Sequence, residues 1–349
     1  NLRVNDNKAL TLACEQHETL IGLFCFNPNW FKETHYGFKK TEKFRARFLI
    51  ESAEELRQNL SKHNIPLFTY FENPHEIMPK LIEKYRISHV YLQKEWTQEE
   101  TDQLLKVKQA TQLLRQKVEW VEVYDQFLFH PEDIPYTSFS SIPDVFTEFR
   151  KKCEKHSEVR KELNIKGFSN STQIESPTKI PTLETLGFQP FETDPRSAFP
   201  FKGGENQANA RLNEYFWETK RLAWYKKTRN GLLGKDYSSK FSPWFANGCI
   251  SARQIYWEVK KFEKEVTKNQ DTYWLIFELI WRDYFKYVSL KHGNRLFKIG
   301  GIFNRNYFWK KDENELQDWI NGHTDEPFVN ANMRELALTG WMSNRGRQN

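Results

Sequence analysis

A chain of 349 residues with 38% hydrophobic and 15% aromatic side chains can build a sizeable core and exceeds the length at which one core keeps growing, so two domains are expected. A mean hydropathy of −0.77 and the lack of any apolar run near 20 residues argue against a membrane span, and no secretory leader pattern opens the chain. The net charge of +6 is unevenly spread: residues 201–349 hold 25 Lys/Arg against 17 Asp/Glu, so the whole positive excess lies in the second half.

In chain order, LIGLFCF (20–26) reads as a buried strand, 43–63 as a helix, PLFTYF (66–71) as a strand and 75–85 as a helix. SHVYL (88–92) follows as a strand, 98–117 as a helix and VEWVEVY (118–124) as a strand. Strands separated by helical patterns predict a parallel sheet covered on both faces. Ligands of such sheets sit beyond the carboxyl ends of the strands, so QKEW (93–96) occupies a site position; the alternative is that Glu95 only helps start the next helix. No GxGxxG or GxxxxGK[ST] supports an ordinary nucleotide cradle.

From 126 to 202 periodicity fades among eight prolines and a Ser/Asn/Thr stretch at 168–174, which predicts a long connection, mobile or draped on the surface, with a short helix near 144–163. Beyond 203 the pattern is helical at 205–218, 219–229, 251–267, 271–290, 312–320 and 330–339, which predicts an all-α domain. The cysteines at 14, 25, 153 and 249 have neither a CxxC pair nor dense spacing and read as reduced thiols of a cytosolic or organellar protein.

Nine of the twelve Trp lie in the second half, at 217, 224, 244, 257, 274, 281, 309, 319 and 341. Indoles beside Lys and Arg suit binding of single-stranded nucleic acid, where rings stack on bases and cations neutralise phosphates. On the helix carrying FELIWRDYF (277–285), Glu278 and Arg282 share a face with Trp281 and Tyr284 beside it, while Phe277, Ile280 and Phe285 turn elsewhere. The plain reading there is a surface ion pair beside core rings. YSSKFS follows a Gly-Leu-Leu-Gly turn at 231–234 and offers hydroxyls and a Lys for a phosphate, or a Ser239 or Ser242 cap for a helix beginning at Pro243. At the chain end Asn344, Arg345, Arg347, Gln348 and Asn349 crowd polar planar groups; in a helix Asn344 and Arg347 share a face, and the alternative is a frayed terminus.

GGENQANARLNEYFW (203–217), YKKTRNGLLGKDYSSKFSPW (225–244), DTYWLIFELIWRDYF (271–285) and NANMRELALTGWMSNRGRQN (330–349) resemble the photolyase/cryptochrome family in order and spacing, its DASH-type members in particular. KTEKFRARFLIES (40–52) extends the resemblance into the first half. It implies an α/β, Rossmann-like antenna domain at 1–125, an inter-domain connection at 126–202 and an all-α FAD-binding domain at 203–349. Tyr225 and Ser238, Ser239, Lys240, Phe241 and Ser242 are then expected along the FAD phosphates. Glu278, Trp281 and Arg282 are expected where flavin and lesion meet, and Asn344 and Arg347 along the flavin. Trp281, Asn344, Arg345 and Gln348 are expected toward DNA, Trp309 at the surface end of a tryptophan relay, and Glu95 on a 5,10-methenyltetrahydrofolate antenna. No metal is implied.

The implied reaction is light-driven electron transfer from reduced FAD to a cyclobutane pyrimidine dimer, whose ring splits and returns the electron; glutamate, tryptophan and asparagine at 278, 281 and 344 would serve it. Single-stranded DNA is the expected partner, and the protein a monomer without a membrane. A blue-light receptor of the same fold is the alternative, and a plain nucleic-acid-binding helical domain a third reading that leaves the SSKFS loop unexplained. NLRVNDN resembles the segment after the family's first strand, and the family continues past RGRQN. The sequence therefore reads as a fragment, expected to hold FAD weakly and to be poorly soluble.

Overall fold

A computed structural model describes residues 1–171 and 174–348. Its first half runs α1 (Lys8–Gln16), β1 (Gly22–Cys25), α2 (Lys43–Ser61), β2 (Leu67–Tyr70), α3 (Pro74–Tyr85), β3 (His89–Gln93), α4 (Gln98–Gln112) and β4 (Glu119–Val123). β1 pairs in parallel with β2 across α2, and β3 with β4 across α4, Gly22 opposite Leu67 and His89 opposite Glu119. The single sheet expected from the sequence is instead two separate pairs. The open edges of β1 and β3 border a cavity of about 1080 Å³ lined by Ile21, Leu23, Leu67, Val90, Leu92 and Val107, so no ladder crosses between them. The helix α1, which the sequence reading missed, packs on β3 and β4 and is capped by the Asn7 side chain.

Among the described residues, the segment after β4 is not merely draped on the surface. Phe127, Leu128, Phe129, Ile142, Phe146, Phe149, Leu186 and Phe188 are buried in one cluster that continues into the helical half, and α5 (Phe146–His156) supplies part of it. Within the Ser/Asn/Thr stretch, Thr172 and Gln173 fall outside the described residues, as does Asn349 at the chain end.

The second half contains α6 (Glu205–Asn213), α7 (Tyr225–Thr228), α8 (Ser242–Asn247), α9 (Ala252–Glu265), α10 (Gln270–His292), α11 (Glu313–Asn321), α12 (Pro327–Thr339) and α13 (Asn344–Arg347). Two predicted helices are broken. Residues 214–218 widen into a π turn after α6, and Lys220, at φ +52°, forces a left-handed residue before a 3₁₀ turn at Arg221–Trp224 and the short α7. Helix α4 stops at Gln112 before an exposed Leu113. Helix α10 has a capping box, in which the Asn269 side chain accepts from Thr272 N and the Thr272 hydroxyl reaches back to Asn269.

The two halves meet on buried charge. Arg3 and Arg253 both bind Asp125, at 2.9 and 2.6 Å, and Arg253 also binds Asp6 at 2.8 Å; every side chain is 6% exposed or less. Two carboxylates and two guanidinium groups alternate, so no charge is buried without a partner. Beside this cluster, buried Asp283 on α10 accepts the backbone N–H groups of Leu128 and Phe129, both at 2.8 Å. Replacing Arg253 by Met leaves Asp6 and Asp125 short of cation; the expected loss is about 3–5 kcal/mol of unfolding free energy, read by urea titration, and a loss under about 1 kcal/mol would count against this role.

Candidate functional site

The SSKFS loop is shaped from behind by Arg211 on α6. This fully buried guanidinium donates to the carbonyls of Lys235, Ser238 and Ser239 at 3.0, 3.2 and 3.3 Å and pairs with Glu214 and Asp236 at 2.9 Å each. Gly231 lets the loop fold back on itself, because a Cβ there would sit 2.7 Å from Tyr237 Cβ. The sequence reading missed Arg211; the signal was its i,i+3 spacing to Glu214 within GGENQANARLNEYFW. Neither serine caps the next helix: Phe241 is the N-cap of α8 and makes no side-chain cap bond.

Lys240 is left where an anion is wanted. Only 3% exposed, it holds φ +65°, and its ammonium has no hydrogen-bond partner. It lies over the rings of Tyr237 and Trp341, 3.2 and 4.6 Å from their centroids. Burial outweighs this cation–π support and pulls its pKa down to about 7. Around it gather Glu335 of α12, whose carboxyl burial pushes upward, and Arg347 of α13, whose charge acts on both Tyr237 and Lys240. Trp341 stacks on Phe199 at 5.0 Å and donates its Nε1–H to the Tyr237 hydroxyl at 3.2 Å. Ser343 caps α13 by accepting from Gly346 N. Asn344, Arg345, Arg347 and Gln348 are exposed there. Phe241 is buried beneath the loop, while Ser238 is half-buried.

Tyr225 links this cradle to α10. Its buried hydroxyl lies within reach of the Ser239 side chain, and the Glu278 carboxylate adds to the burial that raises its pKa. Glu278 does not pair with Arg282, as the plain reading of the helix had it; it binds Arg229 at 2.9 Å. Burial raises the Glu278 pKa, while Arg229 and the nearby Trp274 indole oppose the shift. Trp281 stacks face to face on Phe146 at 3.5 Å and on Phe285 at 5.3 Å. Phe285, expected to turn elsewhere, is 61% exposed on that side.

Arg282 serves a different cavity. Its guanidinium donates to the Gln126 carbonyl at 2.8 Å and lies over the Phe245 ring. Together with Ser242, Lys286, Trp96 and Glu95 it lines a space of about 540 Å³ between the two halves. Glu95 does not start α4, whose N-cap is Thr97; it accepts a hydrogen bond from Gln93, and burial raises its pKa against that bond and the Lys286 charge. Burial, reinforced by Arg282, pushes the Lys286 pKa well down. Trp309 stands apart, 58% exposed with the Tyr307 ring 6.0 Å away. All four cysteines are free thiols. Among the described residues no group of His, Cys, Asp and Glu could hold a metal, and no helix is long and apolar enough to cross a membrane.

Residues 1–166 match the DNA photolyase family and residues 274–349 the FAD-binding domain of DNA photolyase. The whole chain is 44% identical to cryptochrome DASH of Danio rerio, of which it spans 67%, and 42% identical to that of Synechocystis sp., of which it spans 71%. The solved Synechocystis cryptochrome superposes over the whole chain with a TM-score of 0.91, the match covering 72% of that protein. An archaeal photolyase from Sulfolobus tokodaii, 20% identical with a TM-score of 0.73, shares the fold. The chain belongs to the photolyase/cryptochrome family, within its cryptochrome DASH group, and carries that family's FAD-binding domain.

The residues present offer groups that fit such a cofactor: a buried ammonium without a hydrogen-bond partner, the Ser238–Ser239 loop, and a tyrosine hydroxyl beside Ser239 are of the kind that holds a pyrophosphate. Lys240→Met should therefore raise the melting temperature of the flavin-free protein and weaken FAD binding at least tenfold. The lysine predicts a pH dependence as well. Its folded pKa lies below that of a free lysine, so its cost to the flavin-free fold is complete below about pH 7 and fades as pH rises toward about 10. A bound diphosphate raises the same pKa, so FAD affinity should fall as pH rises above 7, and titration calorimetry should detect proton uptake; a flat profile from pH 7 to 9 would remove Lys240 from the cradle.

Proposed function

We propose that the protein repairs cyclobutane pyrimidine dimers in DNA in a light-dependent reaction, preferring single strands. The observation that carries this reading is the continuity of two surfaces: the anion cradle at Ser239 and Lys240 and the Glu278–Trp281 face of α10 are joined through Tyr225. Reduced FAD bound in the cradle would supply the light-driven electron that opens the dimer, and the remaining tasks fall to side chains.

Ser238, Ser239 and Lys240 bind the diphosphate, with Asn344 and Arg347 closing on the cofactor from α13. Trp281, stiffened by its stack on Phe146, is the wall against which an extruded pyrimidine pair lies. Glu278, with its raised pKa, is suited to donate a hydrogen bond to a pyrimidine carbonyl, and Arg229 fixes its direction. Arg345 and Gln348, exposed beside Asn344, face the DNA backbone and the lesion. An unpaired strand delivers the lesion without the cost of breaking a helix, which favours single-stranded substrate. Trp309, exposed beside Tyr307, is the entry for electrons from external reductants.

The cavity at Glu95 fits a planar antenna of the folate class. A half-buried carboxylate suits the donor edge of a pterin, and Trp96 and Phe245 supply ring faces. Glu95→Gln should remove the near-ultraviolet absorbance of a bound folate and leave the flavin bands intact; loss of both together would mean that the residue serves the fold.

The decisive assay is repair of a defined thymine dimer in a single-stranded oligonucleotide, in blue light and in darkness. Repair in light alone, a slower rate on duplex, and a fall of at least a hundredfold in Trp281→Ala with flavin absorbance retained are the expected results. Bound flavin without repair of either substrate would point instead to a blue-light receptor.

A further inference from the structure

Trp224 is 55% exposed although its neighbours Leu222 and Tyr225 are buried. It ends the 3₁₀ turn before α7, and its backbone is pinned on both sides: Asn269 Nδ2 donates to the Ala223 carbonyl at 3.1 Å, and the Thr228 hydroxyl donates to the Trp224 carbonyl at 3.2 Å. A rigidly mounted, open indole on a well-packed part of the molecule is unusual, because burying its apolar area would be favourable. Its surroundings are cationic. The Lys227 ammonium lies 4.7 Å from the Trp224 ring centroid. The ammonium of the adjacent Lys226 lies 4.2 Å from the Trp274 ring, with the Arg229 guanidinium 5.8 Å from the same ring.

Among the described residues neither lysine forms an ion pair with a carboxylate. The nearby acids are engaged elsewhere, Asp271 with the Lys227 backbone N–H and Glu278 with Arg229. The result is a cationic aromatic patch, with Lys227 over Trp224 and Lys226 and Arg229 over Trp274; Arg229 binds Glu278, and Trp274 leads through its stack on Phe277 at 4.5 Å and through Phe146 to Trp281.

We propose that Trp224, with Lys226 and Lys227, is a stacking platform for an unpaired base flanking the lesion and for its phosphates. The proposal deepens the repair reading and rests on it for the position of the lesion at Trp281. An indole with one open face can stack on a base only if that base has left its duplex neighbours, whereas lysines alone would serve either strand form. The platform therefore selects single strands by gripping nucleotides outside the cavity, independently of the chemistry inside it.

The test is fluorescence anisotropy of a short undamaged oligothymidylate, of the same strand carrying one thymine dimer, and of a duplex of equal length. Trp224→Ala should weaken binding of the undamaged single strand roughly five- to a hundredfold, the range for losing one base–aromatic stack, and leave duplex affinity unchanged. Trp224→Phe should restore most of the loss. Lys226→Gln/Lys227→Gln should lower the slope of log affinity against log salt by about 1.4, two phosphate contacts on a single strand. Unchanged single-strand affinity in Trp224→Ala, or an equal loss on duplex, overturns the platform. Failure of the repair reading has a different signature: the wild-type protein then binds damaged and undamaged strands equally, whatever Trp224→Ala does.

Discussion

The interaction on which the rest of the structure depends is the buried alternation of Asp6, Arg253, Asp125 and Arg3. It joins the start of the chain, the residue just after β4 and the first turn of α9, three segments that share no strand ladder. Four desolvated charges tolerate little displacement, since Arg253 loses both of its carboxylates if the domains shift. Arg3 also donates to the Gly248 carbonyl at 3.0 Å and so fixes the turn after α8, which forms one wall of the cavity holding Glu95. The domain interface and the proposed antenna site are thus set by the same charges.

Helix α10 divides the molecule's chemistry. Asp283 points inward and holds the segment after β4, Arg282 and Lys286 reach the Gln126 carbonyl beside Glu95 at 2.8 and 2.7 Å, and Trp274 and Trp281 lie on the side of the helix away from Asp283, with Glu278 turned to Arg229. One helix of 23 residues therefore carries side chains for both proposed chromophore sites. Energy transfer between two chromophores depends steeply on separation and mutual orientation. A continuous helix with a capping box and a buried anchor keeps both constant better than two loops could, because its turns cannot slide independently.

How much of this was legible in the sequence follows from the range of the interactions. The parallel strands and their crossover helices were readable because periodicity is local, and the family's motifs carried the helical half. The split into two strand pairs was not, since each strand has the same apolar pattern whether or not its second edge is paired. The partner of Glu278 was misread for a related reason: helical spacing put Arg282 beside it, but Arg229, from a different segment, sits closer. The anchoring of residues 126–202 was hidden because its buried rings, such as Phe127, Phe149 and Phe188, are spaced irregularly. Lys240 was expected along the FAD phosphates from its motif alone, whereas its burial, its left-handed backbone and its missing hydrogen-bond partner needed three dimensions.

Those three properties bear on how such a cradle can exist at all. A buried ammonium with no hydrogen-bond partner costs stability, and a non-glycine residue at φ +65° adds strain. Arg211 makes this tolerable by saturating the loop's carbonyls from within, so that the backbone cannot relax to hydrate the lysine. Under the proposed function, the stability withheld from the empty fold would be returned by a bound diphosphate, placing part of the binding free energy in the relief of a pre-existing cost. On that reading such a loop would discriminate against neutral ligands, because an anion relieves the buried charge and a neutral group does not.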